Sequence, residues 1–272
     1  MRAAGIKARK SLGQHFLHDP RILSAIVEES GVGAGDRVFE VGTGPGTLTR
    51  ELALRARQVL TVELDPEILD FARRELSGFS NIRFLNSDVL EERERLHPRV
   101  VEALRAMEPF SWVSNLPYGL ATTLTVIFCE SGLDWKKAGL TVQREVAERL
   151  AAAPGEPAYG AVSTLVKFWA HAGLGRLIRP GSFWPPPKVH SRVLLLERAA
   201  PLGELGEYPD YRTWVKRLFQ YPRKQVGTVL RRILGVAETS RLSSKIPFEL
   251  NLRPGQLAPE DFLALSRARS SR

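Results

Sequence analysis

Short apolar runs alternate with amphipathic stretches through the first two hundred residues of the chain. The runs read as strands, and apolar residues recurring every three or four positions read as helices. The first helix follows Asp19, a good N-cap, with Pro20 at its first position and Ile22, Ile26 and Val27 on one face; it ends near Gly31. Residues 37–41 (Arg-Val-Phe-Glu-Val) then read as a strand, which enters Gly42-Thr-Gly-Pro-Gly46 and a helix through about Arg57. Residues 58–63 form a second expected strand, and Asp65 and Pro66 open a helix that ends near Gly78. A third strand covers 81–85 and ends at Asn86-Ser-Asp88. A charged helical stretch leads to a fourth strand at 110–114, and 138–142 is a fifth. This rhythm predicts a parallel sheet with helices on both faces.

Two helices are expected between Gln143 and about His171, split by Pro154-Gly-Glu-Pro157. Residues 178–188, with Pro185-Pro-Pro187, read as irregular, and 190–196 as a last strand. Composition changes after Ala200: Pro201-Leu-Gly-Glu-Leu-Gly206 reads as a linker, and the remainder of the chain as helical and basic. The expected organisation is an α/β domain over residues 1–200, opened by a basic arm at 1–18, and a smaller all-helical domain over 201–272.

At 272 residues and 43% hydrophobic composition the chain can bury a substantial core. No apolar run reaches membrane-spanning length, and Met1-Arg-Ala-Ala-Gly-Ile-Lys7 lacks the apolar stretch of a signal peptide, so a cytoplasmic protein without a membrane partner is expected. The single cysteine, Cys129, excludes an internal disulfide framework and reads as a small buried hydrophobe beside Val126-Ile-Phe128. The five histidines (15, 18, 97, 171 and 190) lack metal-ligand spacing, so no metal is expected. The net charge of +9 favours a polyanionic partner. Residues 201–272 hold 13 Lys/Arg against 7 Asp/Glu, a net +6, so most of the excess lies in the C-terminal part.

Candidate chemistry collects at the ends of the expected strands, where open α/β sheets bind ligands. Asn115-Leu116-Pro117-Tyr118 places a carboxamide, a proline-bent backbone and an aromatic ring after the fourth strand. The Asn115 amide oxygen and the Leu116 carbonyl suit the two hydrogens of an exocyclic NH2, and the Tyr118 ring suits stacking on the base. A plain strand-terminating turn uses the same residue types. Glycines at 42, 44 and 46 let the backbone turn tightly and approach a ligand. Their G-x-G-x-G spacing is one residue short of the dinucleotide fingerprint. With Glu40 before it, the loop points from NAD toward a single-nucleoside cofactor. Glu63, ending the second strand, suits the two hydroxyls of a ribose, and Asp88, ending the third, suits an adenine amino group; helix capping is the alternative for both. This ordering looks like a class I S-adenosylmethionine methyltransferase.

Four elements in order closely resemble the KsgA/RsmA family, the bacterial adenine N6,N6-dimethyltransferases of small-subunit (16S) rRNA. They are Lys10-Ser-Leu-Gly-Gln-His-Phe-Leu17, Glu40-Val-Gly-Thr-Gly-Pro-Gly-Thr-Leu-Thr49, Val62-Glu-Leu-Asp65 and Asn115-Leu-Pro-Tyr118. Gln143-Arg-Glu-Val-Ala-Glu-Arg-Leu150, Tyr159-Gly160 and Phe183-Trp-Pro-Pro-Pro-Lys-Val-His-Ser191 extend the match over nearly the whole chain. The resemblance implies a Rossmann-like methyltransferase domain, S-adenosylmethionine as cofactor, S-adenosylhomocysteine as product and no metal. It also implies a helical C-terminal domain that binds rRNA. Implied cofactor contacts are His15, Leu17, Gly42, Glu63, Asp88 and Asn115, with Gly44, Leu64 and Val89 beside them. Family members usually carry Asn where His15 stands, and imidazole can still donate one hydrogen bond. Asn115, Leu116, Pro117 and Tyr118 would hold the target adenine, with Phe183 as the opposing aromatic; packing beneath the proline run is the other reading of Phe183.

Relatives often carry a Gln-Arg-Arg-Lys-like stretch where this chain has Gln220-Tyr-Pro-Arg-Lys-Gln225. Candidate RNA contacts are Lys10, Arg144 and Lys188, with Arg223, Lys224, Arg231 and Arg232 in the C-terminal part; solvated surface is the ordinary fate of such charges. The implied partner is 16S rRNA within the 30S subunit or its precursor, and the implied state is a monomer. Three other readings stand beside this one: a 23S rRNA adenine methyltransferase of the resistance type, an assembly or transcription factor on the same fold, and a dehydrogenase. The glycine spacing disfavours the last.

Overall fold

The computed structural model describes residues 14–92 and 94–270. The elements of its first part are β1 (Phe16–Leu17), α1 (Pro20–Glu29), β2 (Arg37–Val41), α2 (Thr47–Ala53), β3 (Gln58–Glu63), α3 (Pro66–Glu75) and β4 (Ile82–Asn86). There follow β5 (Leu90–Glu91), β6 (Arg95–Leu96), α4 (Pro98–Arg105), β7 (Phe110–Asn115), α5 (Ala121–Glu130) and β8 (Trp135–Gln143). Then come α6 (Arg144–Ala151), α7 (Ala161–Lys167), β9 (Ala170–Ile178), β10 (Phe183–Trp184) and β11 (Ser191–Arg198). The last helices are α8 (Tyr208–Phe219), α9 (Val226–Leu234), α10 (Val236–Ser243) and α11 (Pro259–Ser270).

The chain divides into two compact units, 1–147 with 172–198, and 148–171 with 199–272. The expected boundary near residue 200 differs from this division, because residues 148–171 associate with the C-terminal helices. Within that second unit the Tyr211 hydroxyl donates to the Thr164 carbonyl at 2.8 Å. Phe168, Tyr208 and Tyr211 pack ring against ring there, with Phe168 centroids 4.8 and 4.9 Å from the two tyrosines. Thr164 of α7 and Phe168, just after that helix, are thus tied to α8, and no sequence-local signal states that choice.

In the first unit a seven-stranded sheet runs in the order β4-β3-β2-β7-β8-β11-β9. The β4-β3-β2-β7-β8 part is parallel, and β11 enters antiparallel to β8, so the sheet is mixed where the βα rhythm predicted parallel pairing throughout. This is the Rossmann-like α/β arrangement. The expected strands at 37–41, 58–63, 81–85, 110–114, 138–142 and 190–196 correspond to β2, β3, β4, β7, β8 and β11. Strand β9 falls in a stretch for which the sequence predicted no strand.

Alternation along β2 sends successive residues to opposite faces. Val38 joins Leu23, Ile26, Val27, Leu48 and Leu52 of α1 and α2 in one core cluster. Phe39 faces the other way, toward Phe128 of α5 and Phe110 and Trp112 of β7; Trp112 and Phe128 have centroids 4.1 Å apart. Each such buried side chain contributes roughly 1.5–3 kcal/mol. Helices on both faces therefore clamp β2 and β7 in place, and the pocket lies at their carboxyl ends. The helices behind it start as predicted: Asp19 and Asp65 accept the N–H groups of Arg21 and Glu67, with Pro20 and Pro66 at the first helical positions.

Candidate active site

A pocket of about 430 Å³ opens at the carboxyl ends of β2, β3, β4 and β7. It falls in the size range of cofactor sites, roughly 300–1,000 Å³. Three sides are built by the expected motifs: Gly42 and Gly44, Glu63 and Leu64, and Asp88 and Val89. Asn115, Leu116, Pro117 and Tyr118 form a fourth, and Gln14, His15 and Phe16 cross it.

The glycine loop is a cradle that side chains would fill. Gly42 and Gly44 have φ of +81° and +52°, a region L side chains rarely adopt. A Cβ on Gly44 would stand 3.0 Å from the Phe16 ring. Phe16 is itself held by Ile68 and partly buried Phe71 and Trp184.

Glu63 is buried, and its carboxylate is aimed by the backbone. Oε2 accepts the Gly44 N–H and Oε1 accepts the Asp65 N–H, each at 3.0 Å. Asp65 caps α3, so Glu63 is not spent on that helix. Burial pushes the Glu63 carboxyl up, and the N–H bonds from Asp65 and Gly44 oppose that shift. The Leu64 N–H also bonds this carboxylate, which leaves acceptor capacity for a hydroxyl donor. Asn86 pins the strand end from behind, its Nδ2 donating to the carbonyls of Glu63 and Leu64 at 2.8 and 3.2 Å. Asp88 is exposed and lines the pocket; its Oδ1 accepts the Leu90 N–H at 3.0 Å, where a strand and not a helix begins, so it caps no helix.

The Glu63 geometry makes even an isosteric change costly. In Glu63→Gln the amide NH2 must face either the Gly44 or the Asp65 N–H, donor against donor. Loss of one charge-assisted bond costs about 1.5–3 kcal/mol, so affinity for a ribose-bearing cofactor is expected to fall roughly tenfold or more. Titration calorimetry with S-adenosylhomocysteine measures it, and equal affinity in the variant would remove Glu63 from the site.

On the opposite wall Asn115 Nδ2 donates to the His15 carbonyl at 2.9 Å. That bond decides which end of the carboxamide is the acceptor, and no described residue donates to Oδ1. The Leu116 N–H donates to the Thr141 carbonyl at 3.1 Å, and no described backbone N–H takes the Leu116 carbonyl, which lies just past the strand. The Tyr118 hydroxyl shares a 2.6 Å hydrogen bond with Ser191. Burial raises its pKa, and the Ser191 bond opposes that. The His15 ring stacks on Tyr118 with centroids 5.3 Å apart, and His15 Nδ1 donates to the Pro185 carbonyl at 2.7 Å.

Two expected site residues lie elsewhere. Leu17 and Phe183 are each 2% exposed and belong to the core cluster beneath α1 and α2. They pair with each other across β1 and β10, so they share a face turned to the core, and Phe16 takes the pocket side instead. Packing, the second reading of Phe183, is what the structure shows. Gln14, Phe16, Ser87 and Leu90 line the pocket without having been foreseen. Asn86 was visible only as a strand-ending residue.

Arg144, Lys188, Arg223, Lys224, Arg231 and Arg232 are exposed, the first two in the sheet unit and the rest in the helical unit. Arg231 and Arg232 occupy the last turn of α9, where cations also suit the helix dipole. Lys10 and the Lys10–Gly13 part of its motif lie outside the described residues. Among the described residues no cluster of His, Cys, Asp or Glu is placed to hold a metal ion, and no helix is long and apolar enough to cross a membrane.

The family described as ribosomal RNA adenine dimethylase matches residues 5–267. Ribosomal RNA small subunit methyltransferase A of Enterococcus faecalis is 33% identical over 97% of this chain and 91% of its own length. The protein of the same name from Geobacter sulfurreducens is 37% identical over 85% of this chain and 83% of its own. Among solved structures, the 23S rRNA methyltransferase ErmE superposes with a TM-score of 0.72 at 26% identity, covering 94% of this chain and all of that one (100%). A dimethyladenosine transferase from Plasmodium falciparum gives 0.72 at 22% identity over 92% of this chain and 96% of its own, a likeness of fold.

Proposed function

Because the chain belongs to the ribosomal RNA adenine dimethylase family, we propose that its substrate is 16S rRNA in the 30S subunit or its precursor. On this proposal two neighbouring adenosines near the 3′ end each receive two methyl groups on N6. The chain is an rRNA adenine dimethyltransferase that uses S-adenosylmethionine. When bound, that cofactor supplies an electrophilic methyl group. Everything else falls to the chain's own residues, and no metal enters.

The observation that carries the reading is the Asn115 carboxamide, fixed through Nδ2 to the His15 carbonyl in a pocket that also holds Glu63. Glu63 takes the ribose hydroxyls, and Asp88 takes the adenine amino group of the cofactor. Gly42 and Gly44 give its backbone-side room. Asn115 Oδ1 and the Leu116 carbonyl accept the two N6 hydrogens of the target base. That bonding favours a pyramidal nitrogen with its lone pair turned to the methyl carbon. Holding the two reactants so aligned is the main source of rate. Tyr118, anchored by Ser191, stacks on the base, which must either take the place that His15 holds on that ring or use its other face. A target adenine has to leave its stack to arrive here.

The exposed basic residues of both units serve the phosphate backbone. The protein acts in the cytoplasm as a monomer that docks on the ribosomal particle.

The resemblance in fold to ErmE keeps a large-subunit target as the second reading. Unmethylated 30S and 50S particles, each incubated with the protein and methyl donor, discriminate by mass spectrometry of the rRNA. Dimethyladenine is expected in 16S rRNA only. Its appearance in 23S rRNA instead would overturn the small-subunit assignment.

A further inference from the structure

The sheet does not keep its ladder to the pocket floor at every seam. β2 stays paired with β3 out to Val41↔Val62, and β7 stays paired with β8 out to Asn115↔Thr141. Between β2 and β7 pairing is confined to Val38↔Ser111 and Phe39↔Trp112, although the strands run on to Val41 and Asn115. The seam therefore opens beneath the pocket, with Val41 and Gly42 on one lip and Asn115 and Leu116 on the other. It lies between β2 and β7, where the order β4-β3-β2 gives way to β7-β8. Such a switch point is where open α/β sheets form their ligand crevice.

A side chain takes over where the ladder stops. Ser114 Oγ accepts the Val41 N–H at 2.8 Å and the Trp112 Nε1–H at 2.9 Å, and Ser114 is wholly buried. The first bond joins the residue before the loop glycines to the residue before the carboxamide. The second comes from a ring packed on Phe128, outside the crevice, and does not cross the seam. The lips it joins nearly touch: a Cβ on Gly42 would stand 3.8 Å from the Asn115 carbonyl oxygen.

The geometry points to Ser114 as a positioning residue that sets the width of this crevice, and with it the separation of methyl donor from acceptor nitrogen. Ser114 touches neither ligand. The inference rests on the proposed reading of the pocket and assigns a determinant of its alignment.

Each lip binds its own ligand, so affinity is insensitive to crevice width, whereas transfer depends steeply on alignment. Ser114→Ala is therefore expected to lower kcat roughly tenfold or more. KM for the 30S particle and Kd for S-adenosylhomocysteine by calorimetry should stay within about twofold. The second transfer has one N–H fewer to hold the nitrogen, so monomethyladenine should accumulate. Trp112→Phe is the control, because it removes the other donor while leaving the Val41 bond. It should lower the melting temperature with kcat and the monomethyl fraction unchanged. Equal kcat and product ratio in Ser114→Ala and wild type would overturn the inference, and an inactive Asn115→Ala in the same assay would show that the reading of the pocket survives. If Asn115→Ala also turns over normally, that reading falls and the inference with it. Should Ser114→Ala not be recoverable as folded protein, Ser114→Cys keeps a weak acceptor on a longer arm. It must move kcat and product ratio in the same direction, and wild-type behaviour there also overturns the proposal.

Discussion

Asn115→Ala is expected to reduce methyl transfer by at least about 100-fold, the scale on which removal of one preorganised hydrogen-bonding partner acts in other enzymes. Two losses combine. The target amine loses an acceptor that would hold one of its hydrogens, and the strap at His15 loses the Nδ2–H that its carbonyl accepts. Asn115→Asp is expected to fare no better although it keeps the shape. One of its oxygens would face the His15 carbonyl, acceptor against acceptor, where the amide now donates at 2.9 Å. Binding of the ribosomal particle should change little, since on the proposed reading it draws on basic residues distributed over both units. Single-turnover methylation on 30S particles, with a filter-binding assay alongside, separates the two. Full turnover by Asn115→Ala would remove the carboxamide from the chemistry; lost particle binding would place it on the RNA surface instead.

The parts of this site that were legible in the sequence are those in which one residue type at a strand end has one use. Glycines that need positive φ and a carboxylate with its own capping neighbour announce themselves. Leu17 and Phe183 show where that logic stops. Phe16↔Trp184 and Leu17↔Phe183 are paired across a two-residue ladder, and a slip of one position exchanges the pocket side for the core side. All four residues are apolar or aromatic, so composition does not choose the register. The core beneath α1 and α2 chooses it, by contacts with residues such as Val38 and Val193 that lie far away along the chain.

Strand β9 was hidden for a related reason. Its Gly173 and Gly175 weaken any strand signal. Yet Gly175 sits in a tight place: a Cβ there would stand 2.7 Å from Glu29 Oε2 and 3.1 Å from Val193 Cβ. Helix-to-strand proximity between residues 29 and 175 has no local trace. The same holds for Asn86, Ser114 and Ser191, whose bonds span 23, 73 and 73 residues. Sequence reading named many of the residues that line the pocket and missed the groups that aim them.

Glu40, which the sequence marks only as the residue leading into the glycine loop, yields the second large expected effect. It is wholly buried in β2, with Oε2 accepting the hydroxyls of Thr49 at 2.6 Å and Thr61 at 2.7 Å. Because Thr61 donates to Glu40, Thr43 must donate to Thr61 in the 2.7 Å bond between them. The carboxyl thus ties α2, β3 and the glycine loop together. Oε1 has no partner. Burial pushes the pKa up to about 8; the Thr49 and Thr61 hydroxyls oppose this, and the charge of Glu63 adds to it. In the unfolded chain the group titrates near 4.5. The folded state therefore holds the proton more tightly. Glu40's contribution to stability is fully present below pH 4.5, falls between pH 4.5 and 8, and is flat above. The slope is at most about 1.4 kcal/mol per pH unit. Glu40→Gln keeps the shape and an acceptor for both threonines, stays neutral, and lacks this slope. Urea unfolding at pH 5, 7 and 9 should show the wild type equal or more stable at pH 5. At pH 9 the variant should lead by about 2 kcal/mol or more. Parallel curves for the two proteins would mean that Glu40 is ionised across the range and that its charge is satisfied in the fold.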